Sequence, residues 1–170
     1  MKTLLILSVI LCVALSIRAA AVGSAAAAAV QQEDKPAAKP APLNFCLDGW
    51  NSFRGNCYYL GNFGVSWSTA ESYCAEFGGS LASANDIVEY NFLQRTVKTG
   101  GHRFAWIGGY YFQDQWRWED GSVFGYHNWD TVSSNSGFQC LQLNSEVLKG
   151  WSNQACSSLL PFVCELKSNC

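Results

Sequence analysis

Aromatic residues are missing from the first 44 positions, because every Phe, Trp and Tyr of the 170-residue chain lies after Asn44. This first part holds instead a run of Leu, Ile and Val, many alanines and three of the four prolines. A segment of that composition has little with which to build a packed core. The aromatic-rich remainder has the length of one ordinary domain. We therefore expect one folded domain behind a leader that does not fold.

Charge and reactive groups are scarce as well. Charged residues make up 14% of the chain and the formal net charge is -2, whereas a protein that binds nucleic acid through its phosphates has a clearly basic balance. No two cysteines have the C-x2-C spacing of a zinc site, and neither His102 nor His127 has a nucleophile or carboxylate at a motif spacing. Glu119 and Asp120 are neighbours, so on a strand they point to opposite faces. We expect no nucleic-acid binding and no enzyme.

Residues 1–21 have the order of a secretory signal peptide, with Lys2, an apolar run over 4–17, and small residues after Arg18. We expect cleavage within 19–25. The run is shorter than the roughly 20 apolar residues that cross a bilayer, and Arg18 interrupts its mildly apolar continuation, so a signal anchor is the less favoured alternative. Residues 22–44 are rich in Ala and Pro, which indicates a disordered linker or propeptide. The protein is expected to be secreted and extracellular, without membrane insertion.

Secretion determines how the cysteines are interpreted. Cys12 lies in the signal peptide, and seven cysteines follow it: Cys46, Cys57, Cys74, Cys140, Cys156, Cys164 and Cys170. In an oxidising compartment these form structural disulfides rather than metal-binding or catalytic thiols. Because their number is odd, at least one is free, capped or bonded to another chain, and the mobility of chain ends makes Cys170 the candidate. Spacing alone leaves the pairing of the other six open.

The periodicity after Cys46 predicts two helices followed by short strands. Ser68-Thr69-Ala70-Glu71 has the form of a capping box, and the first helix would end at Gly78. Asn85 is the predicted N-cap of a second helix, whose buried face would contain Tyr90, Leu93 and Val97. Strand-like segments follow at 104–107, 116–118, 140–143 and 161–164. This order predicts an α+β domain, with a long loop between Trp118 and Cys140 that is typical of a functional segment.

A series of motifs runs through this part in one order: Cys46-Leu-Asp-Gly-Trp50, Trp106-Ile-Gly-Gly109, Trp116-Arg-Trp-Glu-Asp-Gly121, Asn128-Trp129 and Pro161-Phe-Val-Cys-Glu165. Together they resemble a C-type lectin-like domain over 45–170, and more narrowly the small secreted lectins of fish, a group that includes type II antifreeze proteins. The resemblance implies two helices, small antiparallel sheets, a long loop and three bracing disulfides. It pairs Cys46 with Cys57, Cys74 with Cys164, and Cys140 with Cys156, and leaves Cys170 over.

The same resemblance locates a calcium site in the long loop. Sugar-binding members use a Glu-Pro-Asn or Gln-Pro-Asp triplet, an acidic residue before the next cysteine, and an Asn-Asp pair after a tryptophan. Here those positions hold Ser133-Ser134-Asn135, Phe138-Gln139 and Ser152-Asn153. Calcium takes six to eight oxygen ligands, usually including carboxylates, and none of these positions supplies one. We therefore expect no metal and no cofactor at this loop.

The loop still offers stacking faces and neutral hydrogen-bonding groups, which suit a glycan held without metal. The candidate ligand-binding residues are Tyr126, Asn128, Trp129, Ser133, Ser134, Asn135, Gln139, Ser152 and Asn153. Trp106, Trp116, Trp118 and Trp151 are interpreted mainly as core. The favoured function is a carbohydrate-binding protein of innate defence that contacts glycans, including those of microbial surfaces. The alternatives are a module that binds a protein ligand and an ice-binding protein.

The unpaired cysteine generates the first test. We predict a homodimer linked through Cys170, which would double the number of glycan sites and raise avidity. Non-reducing electrophoresis of the secreted protein should give a band at twice the monomer mass that reduction, or Cys170→Ser, converts to monomer. A monomeric band together with a titratable thiol at Cys170 contradicts the prediction.

Overall fold

The computed structural model describes residues 46–168, and the predicted signal peptide, the predicted linker and Cys170 lie outside them. The elements in chain order are β1 (Asn51–Phe53), β2 (Asn56–Val65), α1 (Trp67–Glu76), β3 (Ser80–Leu81), α2 (Ile87–Thr99), β4 (Phe104–Phe112), β5 (Gln115–Trp118), β6 (Trp129–Thr131), β7 (Cys140–Asn144), β8 (Trp151–Gln154) and β9 (Leu160–Leu166). The predicted α+β class with two helices is confirmed. Neither of the described helices is long and apolar enough to cross a membrane.

The strands join in the order β1-β2-β9-β4-β7-β8-β6, with β3 beside β9 and β5 beside β4. Most neighbours are antiparallel, but β4 pairs with β9 and β6 with β8 in parallel. The small antiparallel sheets expected from the resemblance are therefore connected into one mixed sheet. The three expected disulfides, Cys46–Cys57, Cys74–Cys164 and Cys140–Cys156, are all present. The second closes a loop with a sequence separation of 90 and fastens α1 to β9.

Both helices begin at a different residue from the one predicted. The N-cap of α1 is Ser66, whose side chain accepts a hydrogen bond from the backbone of Thr69, so the capping-box prediction at Ser68 was wrong. Trp67 accounts for the shift, because its indole Nε1 donates to Ile107 O at 2.9 Å and holds the first turn against the core. The N-cap of α2 is Asp86 rather than Asn85, since Asp86 Oδ1 accepts from two backbone amides at 2.8 Å. The predicted buried face of α2 is confirmed.

Strand β4 lies at the centre of the core and depends on two glycines. A Cβ atom on Gly108 would lie 2.7 Å from Leu81 O, and one on Gly109 would lie 2.2 Å from a Leu141 methyl carbon. Such distances are too short for any larger residue, so the two glycines let β3 and β7 pack directly on β4. Three tryptophans expected in the core are fully buried, namely Trp106, Trp118 and Trp151.

A half-buried carboxylate follows β5. Glu119 Oε2 accepts a hydrogen bond from Leu81 N at 3.0 Å, and loss of solvent raises the pKa of Glu119 from 4.5 to about 7. The adjacent Asp120 is different: burial favours its neutral form, but hydrogen bonds from Lys167 and Ser122 outweigh that effect and lower the pKa. Asp120 also forms the turn with Gly121 that the sequence indicates, because its Oδ1 accepts from Ser122 N.

These two carboxylates should change stability with pH in opposite directions. Because the folded pKa of Glu119 exceeds the unfolded one, its ionisation weakens the fold as pH rises from 4.5 to about 7. Glu119→Gln should therefore melt like the wild type at low pH and at a higher temperature than the wild type above neutrality. Asp120→Asn should instead lose stability relative to wild type as pH rises. Melting curves measured across this range test both, and a difference that does not vary with pH contradicts the account.

Candidate functional site

One buried side chain at the end of the sheet organises the long loop. Asn153 lies on β8 and is 7% exposed. Its Oδ1 accepts a hydrogen bond from Ser133 N at 2.7 Å, and its Nδ2 donates to Ser133 O at 2.8 Å and to Phe138 O at 3.0 Å. A carboxamide has one acceptor and two donors to match one N–H and two carbonyls. Asn153 thus fixes both ends of the segment 133–138 against the sheet.

The segment so held forms one wall of an open cleft with a volume of about 520 Å³. Its other wall is the β4–β5 hairpin, and the two are joined where Tyr111 N donates to Gln139 O at 2.8 Å. Aromatic faces come from Tyr111, Trp116 and Phe138, and the rings of Tyr111 and Trp116 are 5.3 Å apart. The size and the mixture of aromatic and polar lining are those of a small-ligand site.

Five of the nine predicted site residues line this cleft: Ser133, Ser134, Asn135, Gln139 and Asn153. The Asn135 Oδ1 accepts from Gly137 N, and the Ser133 hydroxyl accepts from Asn135 N. Within residues 46–168, the side-chain Nδ2 of Asn135, the Ser134 hydroxyl and the Gln139 carboxamide have no hydrogen-bond partner in the protein. These three groups are therefore available to a ligand, whereas Asn153 serves to hold the loop.

The other four predicted residues lie elsewhere. Tyr126 and Trp129 pack edge to face on the buried Trp151, at 5.6 and 6.0 Å between ring centroids. Ser152 accepts a hydrogen bond from Gln142 Nε2 at 3.0 Å, which uses its hydroxyl within the sheet. Asn128 borders a separate cleft beside α2. Tyr126, Trp129 and Ser152 are therefore used in packing or in the sheet, and the cleft lined by segment 133–139 contains none of the four.

The cleft also contains residues that the sequence did not indicate. Asp114 and Gln113 form the two-residue turn between β4 and β5, with φ of 62° and 48°. Two consecutive positive φ values define a type I′ turn, which normally carries Asn and Gly. The turn places the exposed Asp114 carboxylate at the cleft. Trp116, interpreted from sequence mainly as core, is half-buried and lines the cleft as well.

Comparison with known proteins agrees with this architecture. The family model described as Lectin C-type domain matches residues 64–166. The chain belongs to the C-type lectin family. Ladderlectin of Oncorhynchus mykiss is 34% identical over 172 residues, which cover 93% of this chain and 90% of ladderlectin. The family is not enzymatic, in agreement with the sequence. The two histidines considered in the sequence make other contacts: a ring nitrogen of His102 lies 3.2 Å from Asn62 Oδ1, and the His127 ring lies 5.4 Å from that of Phe124.

Two solved structures of this C-type lectin's relatives differ in their use of metal. One is a calcium-independent type II antifreeze protein, with a TM-score of 0.66 and 27% identity over 72% of this chain and 95% of that chain. The other is a Ca2+-dependent type II antifreeze protein in its Ca2+-free form, with a TM-score of 0.66 and 28% identity over 72% of this chain and all of the other. Membership of the family therefore leaves the calcium question to the residues of the loop.

Those residues do not fit a calcium ion. Two of the three contacts of Asn153 are made by its Nδ2 donor, which repels a cation, and its Oδ1 already accepts from Ser133 N. The Asn135 Oδ1 is occupied by Gly137 N. Across residues 46–168, no group of three or more His, Cys, Asp or Glu side chains is placed to hold a metal. Segment 133–139 contains no Asp or Glu, whereas calcium sites usually include carboxylate ligands.

The role of Asn153 can be tested by a nearly isosteric change. Asn153→Asp replaces the Nδ2 group, which donates to both carbonyls, by an oxygen that only accepts and would face Ser133 O and Phe138 O. We expect a loss of about 2 kcal/mol or more in unfolding free energy, because both carbonyls lose their partner and a buried charge is added. Asn135→Asp is the matched control, since its Oδ1 only accepts, and should unfold like the wild type. Chemical denaturation measures both, and equal stability of the two variants contradicts the role given to Asn153.

Proposed function

We propose that this C-type lectin is secreted and binds a saccharide in the cleft between segment 133–139 and the β4–β5 hairpin, without a calcium ion in the loop. The observation that carries the proposal is the contact set of Asn153. Its carboxamide contacts the backbone at both ends of the loop, which supports a binding wall that needs no metal. The lectin name of the relative ladderlectin supports a glycan as the ligand class.

The groups around the cleft match the needs of a neutral sugar. Pyranose rings have apolar C–H faces that pack on aromatic side chains, and Tyr111 and Trp116 provide such faces. The side-chain Nδ2 of Asn135 and the Gln139 carboxamide can donate to sugar oxygens. The Asp114 carboxylate can accept hydrogen bonds from two adjacent hydroxyls, which is the role that calcium-bound carboxylates have in sugar-binding members of the family. Charged acceptors form stronger hydrogen bonds than neutral ones.

The β4–β5 turn supplies a test in which one substitution should raise the stability of the fold and weaken sugar binding. Glycine adopts positive φ without strain, so Asp114→Gly should raise the melting temperature. The same change removes the proposed hydroxyl acceptor and should weaken binding to the preferred sugar by about tenfold. Gln113→Gly is the matched control, because it relieves the neighbouring positive φ and keeps the carboxylate. That variant should be stabilised and should bind like the wild type.

The measurement is retention of the secreted protein on immobilised lactose and mannose, first with calcium and then with EDTA. Retention that survives EDTA, is eluted by free sugar and is lost in Asp114→Gly supports the proposal. If EDTA abolishes retention, the proposal that the sugar is bound without calcium is contradicted. If neither sugar retains the protein and its solution shows thermal hysteresis of freezing, the chain is assigned to the ice-binding function instead.

A further inference from the structure

A turn on another part of the surface exposes two apolar side chains. In the turn from Glu146 to Lys149, closed by Lys149 N donating to Glu146 O at 3.1 Å, Val147 is 73% exposed and Leu148 is 97% exposed. Leu148 has a φ of 65°, a conformation that bulky residues rarely adopt. The position favours Gly or Asn. A leucine that is both strained and almost wholly in water contributes nothing to the fold, which suggests that it contacts something outside the chain.

This turn is held rigidly on helix α2. The buried Gln94 Nε2 donates to Asn144 O at 2.8 Å, to Glu146 O at 3.0 Å and to Lys149 O at 2.7 Å. At its end, Gly150 passes so close to Asn128 that a Cβ atom there would lie 1.9 Å from Asn128 O. The turn therefore presents Val147 and Leu148 from a fixed base, and their exposure is a property of the folded domain.

Basic residues surround the apolar tip. Arg95, Lys98 and Lys149 border one cleft of about 600 Å³ together with Leu148. Arg103 borders the adjoining cleft, which shares Lys98 and Val147 with the first. Arg103 and Lys149 form exposed ion pairs with Glu146 and Asp130. In the described part of the chain Arg95 and Lys98 form no ion pair, so this surface carries an excess of positive charge within a domain that is acidic as a whole.

We propose that this surface, the basic apolar turn with the C-terminal half of α2, binds the surface of an anionic lipid bilayer. Val147 and Leu148 enter the interfacial layer of the bilayer, while Arg95, Lys98 and Arg103 contact lipid phosphates. Exposed apolar side chains beside Lys and Arg are the combination that peripheral proteins use at anionic membranes. The contact is shallow and involves no membrane-spanning segment, and it is separate from the saccharide cleft.

The shape of the surface favours a bilayer over other anionic partners. An anionic polysaccharide would use the cations but would gain nothing from Leu148, whose side chain is 97% exposed at the edge of the first cleft. A protein partner would need a pocket of its own to receive the tip. A fluid bilayer accepts a protruding leucine anywhere on its surface and supplies a continuous layer of phosphates around it. The leucine is thus the residue that distinguishes the partners.

The test uses protein purified from the medium of cells that express the full chain, sedimented with vesicles of phosphatidylcholine alone or mixed with phosphatidylglycerol. We expect binding to the anionic vesicles that weakens with added salt, and little binding to the neutral ones. Leu148→Asn should reduce the partition coefficient by about tenfold. Arg95→Gln and Lys98→Gln should each reduce the partition coefficient roughly fivefold, and the double variant should bind more weakly than either single variant.

The variants are chosen so that misfolding cannot imitate the result. Asparagine tolerates positive φ, so Leu148→Asn should melt at or above the wild-type temperature and should keep its sugar retention. Leu159→Asn is the matched control, since Leu159 is 71% exposed but lies outside this surface, and it should bind vesicles like the wild type. Equal vesicle binding by wild type and Leu148→Asn overturns the proposal. Binding to heparin that depends on Arg95 and Lys98, without vesicle binding, assigns the surface to an anionic polysaccharide instead.

Discussion

The three hydrogen bonds of the Asn153 carboxamide are the constraint on which the binding region depends. They connect a buried position of β8 to the backbone at Ser133 and Phe138, and so fix a segment that has little regular structure of its own. In calcium-binding relatives the resemblance places an acidic residue here, where a cation joins it to the loop. In this chain the amide makes the same connection with its own donors. A nitrogen at this position can donate to the two loop carbonyls, whereas the oxygen of a carboxylate could only accept.

This exchange explains several features together. The segment lacks the carboxylates and the proline of the calcium-binding pattern, and Asn153 contacts both of its ends. Its remaining polar groups, those of Ser134, Asn135 and Gln139, are then free to point into the cleft. The only acidic residue that lines the cleft within the described chain comes from the opposite wall, at Asp114. The proposed sugar contacts therefore combine a neutral loop with a single charged acceptor on a strained turn.

Much of the fold could be predicted from the sequence, because disulfides, glycines and tryptophans at fixed spacings leave few alternatives. The helix starts could not be predicted, although Ser68 and Asn85 satisfy the sequence rules for an N-cap. The hydrogen bond from Trp67 to Ile107 O decides the start of α1, and the two backbone amides that donate to Asp86 decide that of α2. Long β2 was not among the strands that periodicity indicated, since its glycines and polar residues hide the alternation. In the site, sequence located the loop but missed Asp114, because Gln113-Asp114 lacks the usual residues of its turn and only folding brings it beside the loop.

The central claim is that the loop is held by Asn153 and not by calcium. Amide NMR spectra of the isotopically labelled protein, recorded in EDTA and then with increasing calcium up to millimolar concentrations, test it at single residues. The account predicts a slowly exchanging Asn153 side-chain NH2 signal in EDTA, and backbone signals of Ser133, Asn135 and Gly137 that stay in place as calcium is added. Saturable calcium-dependent shifts of those signals would contradict it.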